Sequence, residues 1–275
     1  MSRQRSHYAG PLRAVVLDWA GTTVDFGCTA PVATIMQAFK DSGVPITAEE
    51  ARAPMGMPKW QHIQAITRVD AVRARWEEAR GKVPDEGDVD SLYERFLPLL
   101  VRTVAQHSDV IPGVVATIAG LRERGLAIAS TTGYPREVME VVARVASQQG
   151  YEPDATVCAG DTPAGRPGPF MALQALIELS ISPVQAVVKI GDTVVDVEEG
   201  LNGGMWSVGV AVTGNQVGLS LSEFDALGAD ERRALSERAT EVLLRAGAHY
   251  VVDSLSDVLP VLESIGARLA AGEKP

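Results

Sequence analysis

Acidic residues directly follow short apolar runs at two places in the chain. The run Ala14–Leu17, within LRAVVLDWAGTTVDFG, is followed by Asp18, and the run in QAVVKIGDTVVD is followed by Asp192, with Asp196 further along. A carboxylate held at the end of a strand can attack phosphorus and form an aspartyl-phosphate. A second carboxylate can bind a hard divalent ion, and Mg²⁺ suits one or two carboxylates with substrate oxygens. The pattern therefore indicates metal-assisted phosphoryl transfer.

Anion-binding groups stand between these acids. The run LAIAS leads to Thr132 and Gly133 just before a predicted helix, and Arg166 lies in GRPGPF ahead of another. Hydroxyls and N–H groups near a helix N-terminus can hold phosphoryl oxygens, and arginine adds a fixed cation. Each residue also has an ordinary alternative, since aspartate and threonine often form turns or caps and arginine is usually a surface charge. Those alternatives weaken when all the groups fall at strand ends of one sheet.

Strands and helices that would position these groups alternate along the chain. The apolar runs RAVVLD, LAIAS, ATVCA, QAVVKIGD, WSVGVAV and AHYVVD are separated by helical patterns over most of the sequence. Alternation of this kind predicts an α/β fold, a Rossmann-like doubly wound parallel sheet. In such sheets, reactive groups gather at the carboxyl ends of the strands.

One segment lacks any strand pattern. Between Gly27 and His107 the sequence is helical, with a capping box at Thr47 and an amphipathic helix, DVDSLYERFLPLLVRTVAQH, in which Pro98 predicts a kink. We therefore predict a core of residues 1–26 and 108–275 and an inserted helical cap of residues 27–107.

The segments DWAGTTVD, STTGY, GRPGP and GDTVVD, in this order, resemble the haloacid dehalogenase superfamily and, within it, the phosphonatase family. The resemblance extends from Gly10 to the C-terminal helix. Most phosphatases of the superfamily carry a second aspartate where Ala20 stands, and that acid protonates the leaving oxygen. Alanine at this position is typical of phosphonatases, in which the leaving atom is carbon.

The resemblance implies a reaction and a metal site. The reaction is hydrolysis of phosphonoacetaldehyde to acetaldehyde and phosphate in the degradation of 2-aminoethylphosphonate. Mg²⁺ would be bound by Asp18, Asp192 and the carbonyl of Ala20, with Asp196 in support, and a homodimer through cap helices is implied as well.

A lysine of the predicted cap matches the Schiff-base lysine of the family. Lys59 lies in PMGMPKWQHI, in the first turn of a predicted helix beside Met55 and Trp60. A lone lysine is usually a solvated charge, but a helix N-terminus and apolar neighbours disfavour the ammonium form. His62 lies on the same face and is either a proton relay or a structural histidine. Met55 and Tyr134 match positions that line the family's site and would otherwise be interpreted as packing residues.

Composition restricts the classes of partner. Apolar residues are 46% of the 275 residues, and 25 basic against 35 acidic residues give a formal net charge of −10 without a basic run. Nucleic acid is therefore not a predicted partner. No apolar run approaches membrane-spanning length, and the N-terminus lacks the apolar segment of a signal peptide. Cys28 and Cys158 lack metal-ligand spacing and are predicted to be buried thiols of a cytoplasmic protein.

Two other functions stay open from the sequence. One is a phosphate-ester phosphatase or mutase of the same superfamily, against which Ala20 argues. The other is a binding protein on the scaffold of an inactive enzyme. The joint presence of Asp18, Arg166, Asp192 and Lys59 argues against that second alternative.

Overall fold

The computed structural model of the protein describes residues 8–275. Its centre is one parallel sheet of six strands in the order β3-β2-β1-β4-β5-β6. The strands are β1 (Ala14–Leu17), β2 (Ala127–Pro135), β3 (Ala155–Ala159), β4 (Val187–Gly191), β5 (Trp206–Val210) and β6 (Tyr250–Val252). This confirms the predicted α/β fold with a doubly wound parallel sheet.

Helices account for most of the remaining chain. In chain order they are α1 (Thr29–Asp41), α2 (Ala48–Arg52), α3 (Lys59–Thr67), α4 (Asp70–Arg80), α5 (Glu86–Thr103), α6 (Val114–Glu123), α7 (Arg136–Gln148), α8 (Phe170–Glu178), α9 (Val194–Asn202), α10 (Leu221–Ala226), α11 (Ala229–Arg245) and α12 (Val258–Ala270). Short 3₁₀ turns cover Val104–His107, Val184–Ala186 and Leu255–Asp257. The sequence patterns did not reveal α4, α10 or α11.

The register of the central strands brings the predicted site residues to one edge. Leu17 of β1 pairs with Ser130 of β2 on one side and with Ile190 of β4 on the other. Asp18 therefore leaves the sheet between the ends of these two strands. β1 is buried along its whole length, as expected for a parallel strand covered by helices on both faces.

Strand β2 is longer than the run LAIAS predicted. It stays paired with β3 as far as Cys158, opposite Thr132, and after an irregularity pairs again at Pro135. Thr132 and Gly133 consequently lie in the end of a strand, and α7 begins only at Arg136.

The helices α1 to α5 form an insertion between β1 and β2, which we call the helical insert. Helix α5 packs against both α1 and α3, and on its apolar face Leu92, Phe96 and Leu100 are buried and Leu99 is half-buried. The helix continues through Pro98 to Thr103, so the proline does not end it. Thr47 forms the predicted capping box at the start of α2.

Long apolar helices are missing from the described part of the chain. Among residues 8–275, no helix combines the length and the hydropathy needed to cross a bilayer.

Candidate active site

A cavity lies where the carboxyl ends of the central strands meet the helical insert. It is small and is lined from both parts of the chain. The lining residues are Asp18, Ala20, Cys28, Pro31, Met55, Gly56, Lys59, Thr132, Gly133, Tyr134, Arg166, Asp192 and Thr193. Of the predicted site residues, only His62 and Asp196 do not line it. The structure thus brings together residues far apart in the sequence.

Asp18 follows β1 and is almost completely buried. Arg166 Nη1 lies 2.7 Å from Asp18 Oδ1 and is the one side-chain partner of this carboxylate among residues 8–275. Burial raises the pKa of Asp18, the negative charge of Asp196 raises it further, and the guanidinium offsets part of the shift. One carboxylate oxygen is thus fixed by a cation, which orients the carboxylate.

Arg166 is held by several buried groups at once. Its Nη1 also lies 2.9 Å from Asp196 Oδ1, and its Nε lies 2.9 Å from Glu199 Oε2. Its Nη2 donates to the carbonyl and the hydroxyl of Thr131 at 2.8 and 2.7 Å. Five donors in a rigid fork allow this arrangement, which a lysine could not reproduce.

A second buried cation completes this network. Lys189 Nζ lies 2.9 Å from Asp196 Oδ1, 3.1 Å from Glu199 Oε2 and 3.0 Å from the hydroxyl of Thr131. Sequence reasoning missed both Lys189 and Glu199. The available signal was the lysine inside the apolar run VVKIG, because a fully buried lysine is rare unless it is paired.

The charges in this cluster fit a divalent cation. Its buried ionisable side chains are four carboxylates and two cations, from Asp18, Asp192, Asp196, Glu199, Arg166 and Lys189. With all four carboxylates ionised, the cluster has two excess negative charges, which is the charge that one divalent ion neutralises. Carboxylate oxygens of Asp18, Asp192 and Asp196 lie within 4.8 Å of one another. Asp196 is already bound by Arg166 and Lys189, so Asp18 and Asp192 are the carboxylates better placed to ligate the ion.

Asp192 is oriented by neighbours on two sides. The backbone N–H of Asn215 donates to its Oδ2 at 2.7 Å, and the hydroxyl of Thr22 lies 3.4 Å from Oδ1. Burial raises the pKa of Asp192 well above its usual range, and the negative charges of Asp18 and Asp196 add to this. A bound cation reverses such a shift, because it favours the ionised carboxylate.

Lys59 is the first residue of α3, and only 5% of it is exposed. Its Nζ lies 3.6 Å from the sulfur of Met55 and 5.2 Å from the centre of the Tyr134 ring, while the Tyr134 hydroxyl has no partner among residues 8–275. Burial lowers the pKa of Lys59 from its usual 10.5, and the carboxylate of Asp18 opposes this only in part. The site therefore shifts Lys59 toward the free amine, the nucleophilic form of a lysine.

His62 lies behind the cavity and is completely buried. Its Nε2 lies 2.8 Å from the carbonyl of Ala51, which can only accept, so this nitrogen carries the proton. Nδ1 has no hydrogen-bond partner in the described residues 8–275. Burial, together with the charge of Lys59, lowers the pKa of His62 well below 6.5. The imidazole is therefore neutral, with Nδ1 available as an acceptor.

Cys28 is a cavity residue that sequence reasoning interpreted only as a buried thiol. It precedes α1 with φ at +50° and lines the cavity, and burial raises the pKa of its thiol well above the usual 9.0. Cys158 is buried too, and both cysteines are free thiols. Neither cysteine has a spacing pattern, so the sequence alone could not show that Cys28 lines the cavity and Cys158 does not.

Glycines allow the insert to lie directly on the core. A Cβ atom on Gly133 would come within 2.6 Å of the carbonyl oxygen of Met57, and one on Gly56, where φ is +89°, within 2.3 Å of the Thr193 hydroxyl. Both distances are shorter than side chains tolerate. The residues just before Lys59 therefore pack closely against the strand ends.

The fold and the acidic site at the strand ends are those of a hydrolase family, and comparison of the chain with known proteins identifies the same family. The sequence model described as "haloacid dehalogenase-like hydrolase" matches residues 12–204, so the chain belongs to this family of hydrolases. The protein named phosphonoacetaldehyde hydrolase from Klebsiella pneumoniae is 48% identical, with 96% of this chain and 99% of the relative aligned. The one from Syntrophobacter fumaroxidans is 46% identical over 98% of this chain and 97% of the relative. A crystal structure of a phosphonoacetaldehyde hydrolase-like protein from Oleispira antarctica is similar over the whole of both chains, with a TM-score of 0.98 and 41% identity.

Proposed function

We propose that the protein hydrolyses the carbon–phosphorus bond of phosphonoacetaldehyde to give acetaldehyde and phosphate, in the degradation of 2-aminoethylphosphonate. The observation that carries the proposal is that Lys59 and Asp18 line the same small cavity. A buried amine with a lowered pKa reacts with an aldehyde, whereas a buried carboxylate fixed by arginine reacts with phosphorus. A substrate that carries both groups uses both residues. The names of the relatives support the same choice.

The reaction starts at the aldehyde. The amine of Lys59 adds to the carbonyl carbon and water is lost, which gives a protonated imine. Asp18 then attacks phosphorus, the phosphorus–carbon bond breaks, and its electron pair moves through the carbon into the imine as an enamine. A proton adds to that carbon and water hydrolyses the resulting imine, releasing acetaldehyde and Lys59. A further water hydrolyses the aspartyl-phosphate and releases phosphate.

The phosphonate group is proposed to lie against the core. Arg166 supplies a fixed positive charge, and Thr132 and Gly133 line the cavity at the end of β2. The metal ion is proposed to be Mg²⁺, bound by Asp18, Asp192 and the carbonyl of Ala20. When bound, it neutralises charge between the attacking carboxylate and the anionic phosphonate.

We also propose that residues 27–107 act as a cap on a core of residues 1–26 and 108–275. The insert carries Lys59 and the core carries Asp18, so the complete site exists only when the two are in contact. His62 links α3 to α2 through Ala51, and we propose that its unpartnered Nδ1 relays a proton only transiently, because burial disfavours the charged imidazole. The resemblance to the family supports a cytoplasmic location and a homodimer. Light scattering in solution would test the dimer.

Phosphate release from phosphonoacetaldehyde tests the proposal directly. We expect turnover in the presence of Mg²⁺ and its loss when a chelator removes the ion, because the ion is proposed to neutralise charge between Asp18 and the anionic phosphonate. A simple phosphate ester, assayed in parallel, should react far more slowly. Faster release from the ester would favour a phosphatase or mutase, and no release from either substrate would favour a binding protein.

Ala20→Asp is expected to reduce phosphonate cleavage by about 100-fold or more. Losses of this size are typical when a preorganised group of an active site is changed. The new carboxylate would join a cluster that already has excess negative charge, and it would compete for the metal. Steady-state phosphate release measures the effect, and Ala20→Ser is the control, because it adds a small side chain without charge. Parental turnover in Ala20→Asp would show that the alanine has no functional meaning.

A further inference from the structure

Arg52, the last residue of α2, reaches from the helical insert into the core. Its Nη1 donates to the carbonyl of Gly27 at 2.9 Å and lies 3.1 Å from Asn215 Oδ1 and 3.4 Å from the carbonyl of Cys28. Its Nη2 donates to the carbonyl of Gly218 at 2.7 Å. All of these partners are neutral oxygens, so the planar fork is used as a multiple donor and not as half of an ion pair.

The main chain of Arg52 takes part in the same contact. Its carbonyl accepts from the Asn215 side-chain amide at 3.3 Å and from the backbone N–H of Met55 at 3.0 Å. Arg52 and Asn215 are therefore joined twice, once in each direction. The chain leads from this point through Met55 to Lys59, so the contact fixes the start of the segment that carries the amine.

The loop that contains Asn215 and Gly218, which Arg52 contacts, also positions the carboxylate of Asp192. The backbone N–H of Asn215 donates to Asp192 Oδ2 at 2.7 Å. In the same loop, the Thr213 hydroxyl donates to the carbonyl of Gly21 at 2.8 Å, and the Thr213 carbonyl accepts from the N–H of Gly27 at 2.8 Å. Residues 213–218 thus contact Arg52, Asp192 and the segment just after Ala20.

We propose that Arg52 is a positioning residue that couples the seating of Lys59 to the placement of Asp192. Contact of the insert with the core places the guanidinium on Asn215 and Gly218, and the same asparagine holds Asp192 through its backbone. The proposal rests on the proposed function, which gives Lys59 and Asp192 their roles. It adds that the segment carrying Lys59 and the loop holding Asp192 are each fully ordered only when the two are in contact.

Hydrogen exchange of the full-length protein without substrate tests the physical contact. In Arg52→Ala, the backbone amides of residues 213–219 and those of Ala53, Met55, Gly56 and Met57 should all exchange about 10-fold faster, since several hydrogen bonds to a charged group are lost. Arg52→Lys, which keeps the charge but not the fork, should restore protection only in part. Arg75→Ala is the matched control, because Arg75 Nη2 pairs with Glu50 of the same helix α2 at 2.6 Å and leaves the core loop untouched.

A double-variant cycle tests the route through Asn215. We expect kcat/KM for phosphonoacetaldehyde to fall about 10- to 100-fold in Arg52→Ala and to a similar extent in Asn215→Ala. The double variant should lose much less than the product of the two factors, because the residues share one contact. A purely structural role would lower kcat/KM only as far as it lowers the fraction of folded protein at the assay temperature, which thermal unfolding measures.

Separate results would overturn the proposal or the proposed function. Parental exchange rates at residues 213–219 in Arg52→Ala would confine its role to the insert and contradict the coupling. Fully multiplicative effects in the double variant would exclude Asn215 as the route. If the parent protein releases no phosphate from phosphonoacetaldehyde, the proposed function fails, whereas the exchange data still decide on the contact. Should Arg52→Ala fail to fold, Arg52→Lys and Asn215→Ala provide the same comparisons.

Discussion

Asp18→Asn is expected to abolish phosphate release, by at least about 10⁴-fold, while the protein stays folded, because a covalent step loses its nucleophile. The amide keeps the shape of the side chain and can still accept from Arg166, but it neither attacks phosphorus nor ligates a cation well. Burial raises the pKa of Asp18, so the ionised form is less favoured in the folded chain than in the unfolded one. Without metal, the unfolding temperature of the variant should therefore equal or exceed that of the parent. Phosphate release and thermal unfolding measure the two effects.

Asp253→Asn is the control for this experiment. Asp253 also directly follows a strand of the sheet, β6, but it is exposed and accepts from the Ser236 hydroxyl at 2.6 Å, away from the cavity. Its replacement should leave turnover near the parental value. Comparable turnover in Asp18→Asn and the parent would contradict an aspartyl-phosphate mechanism.

The sheet and its reactive edge could be predicted because they follow from local patterns. Each buried strand appears as an apolar run, and parallel pairing alone brings the carboxyl ends together. Asp18 and Asp192 lie near each other because β1 and β4 are neighbours in the sheet, an order that the structure shows and the apolar runs alone do not give. The same logic located Thr132 and Gly133, although β2 continues further than its apolar run indicated.

The residues that hold the site residues in place could not be predicted, because their partners are distant in the sequence. Glu199 in a helix looks like any exposed acid, and only the packing of α9 on β4 places it beside Lys189 and Arg166. Arg52 looks like a helix-terminal cation, and its acceptors lie mainly on loops. A pattern of residue types carries no information about which loop comes to meet a side chain.

The position of Lys59 over Asp18 was likewise beyond the residue pattern. Helical periodicity placed Lys59 at the start of α3, as the structure confirms, but it could not say on which side of the sheet the insert would lie. The resemblance to phosphonatases supplied that placement. The structure now gives a physical reason for it, because Gly133 and Gly56 leave room for the insert to reach the strand ends.

Lys59→Arg should reduce phosphonate cleavage by orders of magnitude, because a guanidinium stays protonated and forms no imine. A guanidinium supplies the positive charge that the protonated imine would carry, so the loss would report the covalent step and not electrostatic binding. Steady-state phosphate release provides the measurement. Lys40→Arg is the control, since Lys40 is an exposed lysine of the same insert and should tolerate the change.

Borohydride trapping and the pH profile make the same prediction independently. Reduction in the presence of the aldehyde should inactivate the parent permanently, and peptide mapping should place the adduct on Lys59 and not on Lys40, Lys82 or Lys189. Burial lowers the pKa of Lys59, and the amine reacts only when deprotonated, so activity should rise with pH through a midpoint below 10.5. An ester phosphatase has no use for an imine, so full activity after borohydride and substrate, or an active Lys59→Arg variant, would leave Asp18 as the nucleophile of an ordinary phosphate transfer.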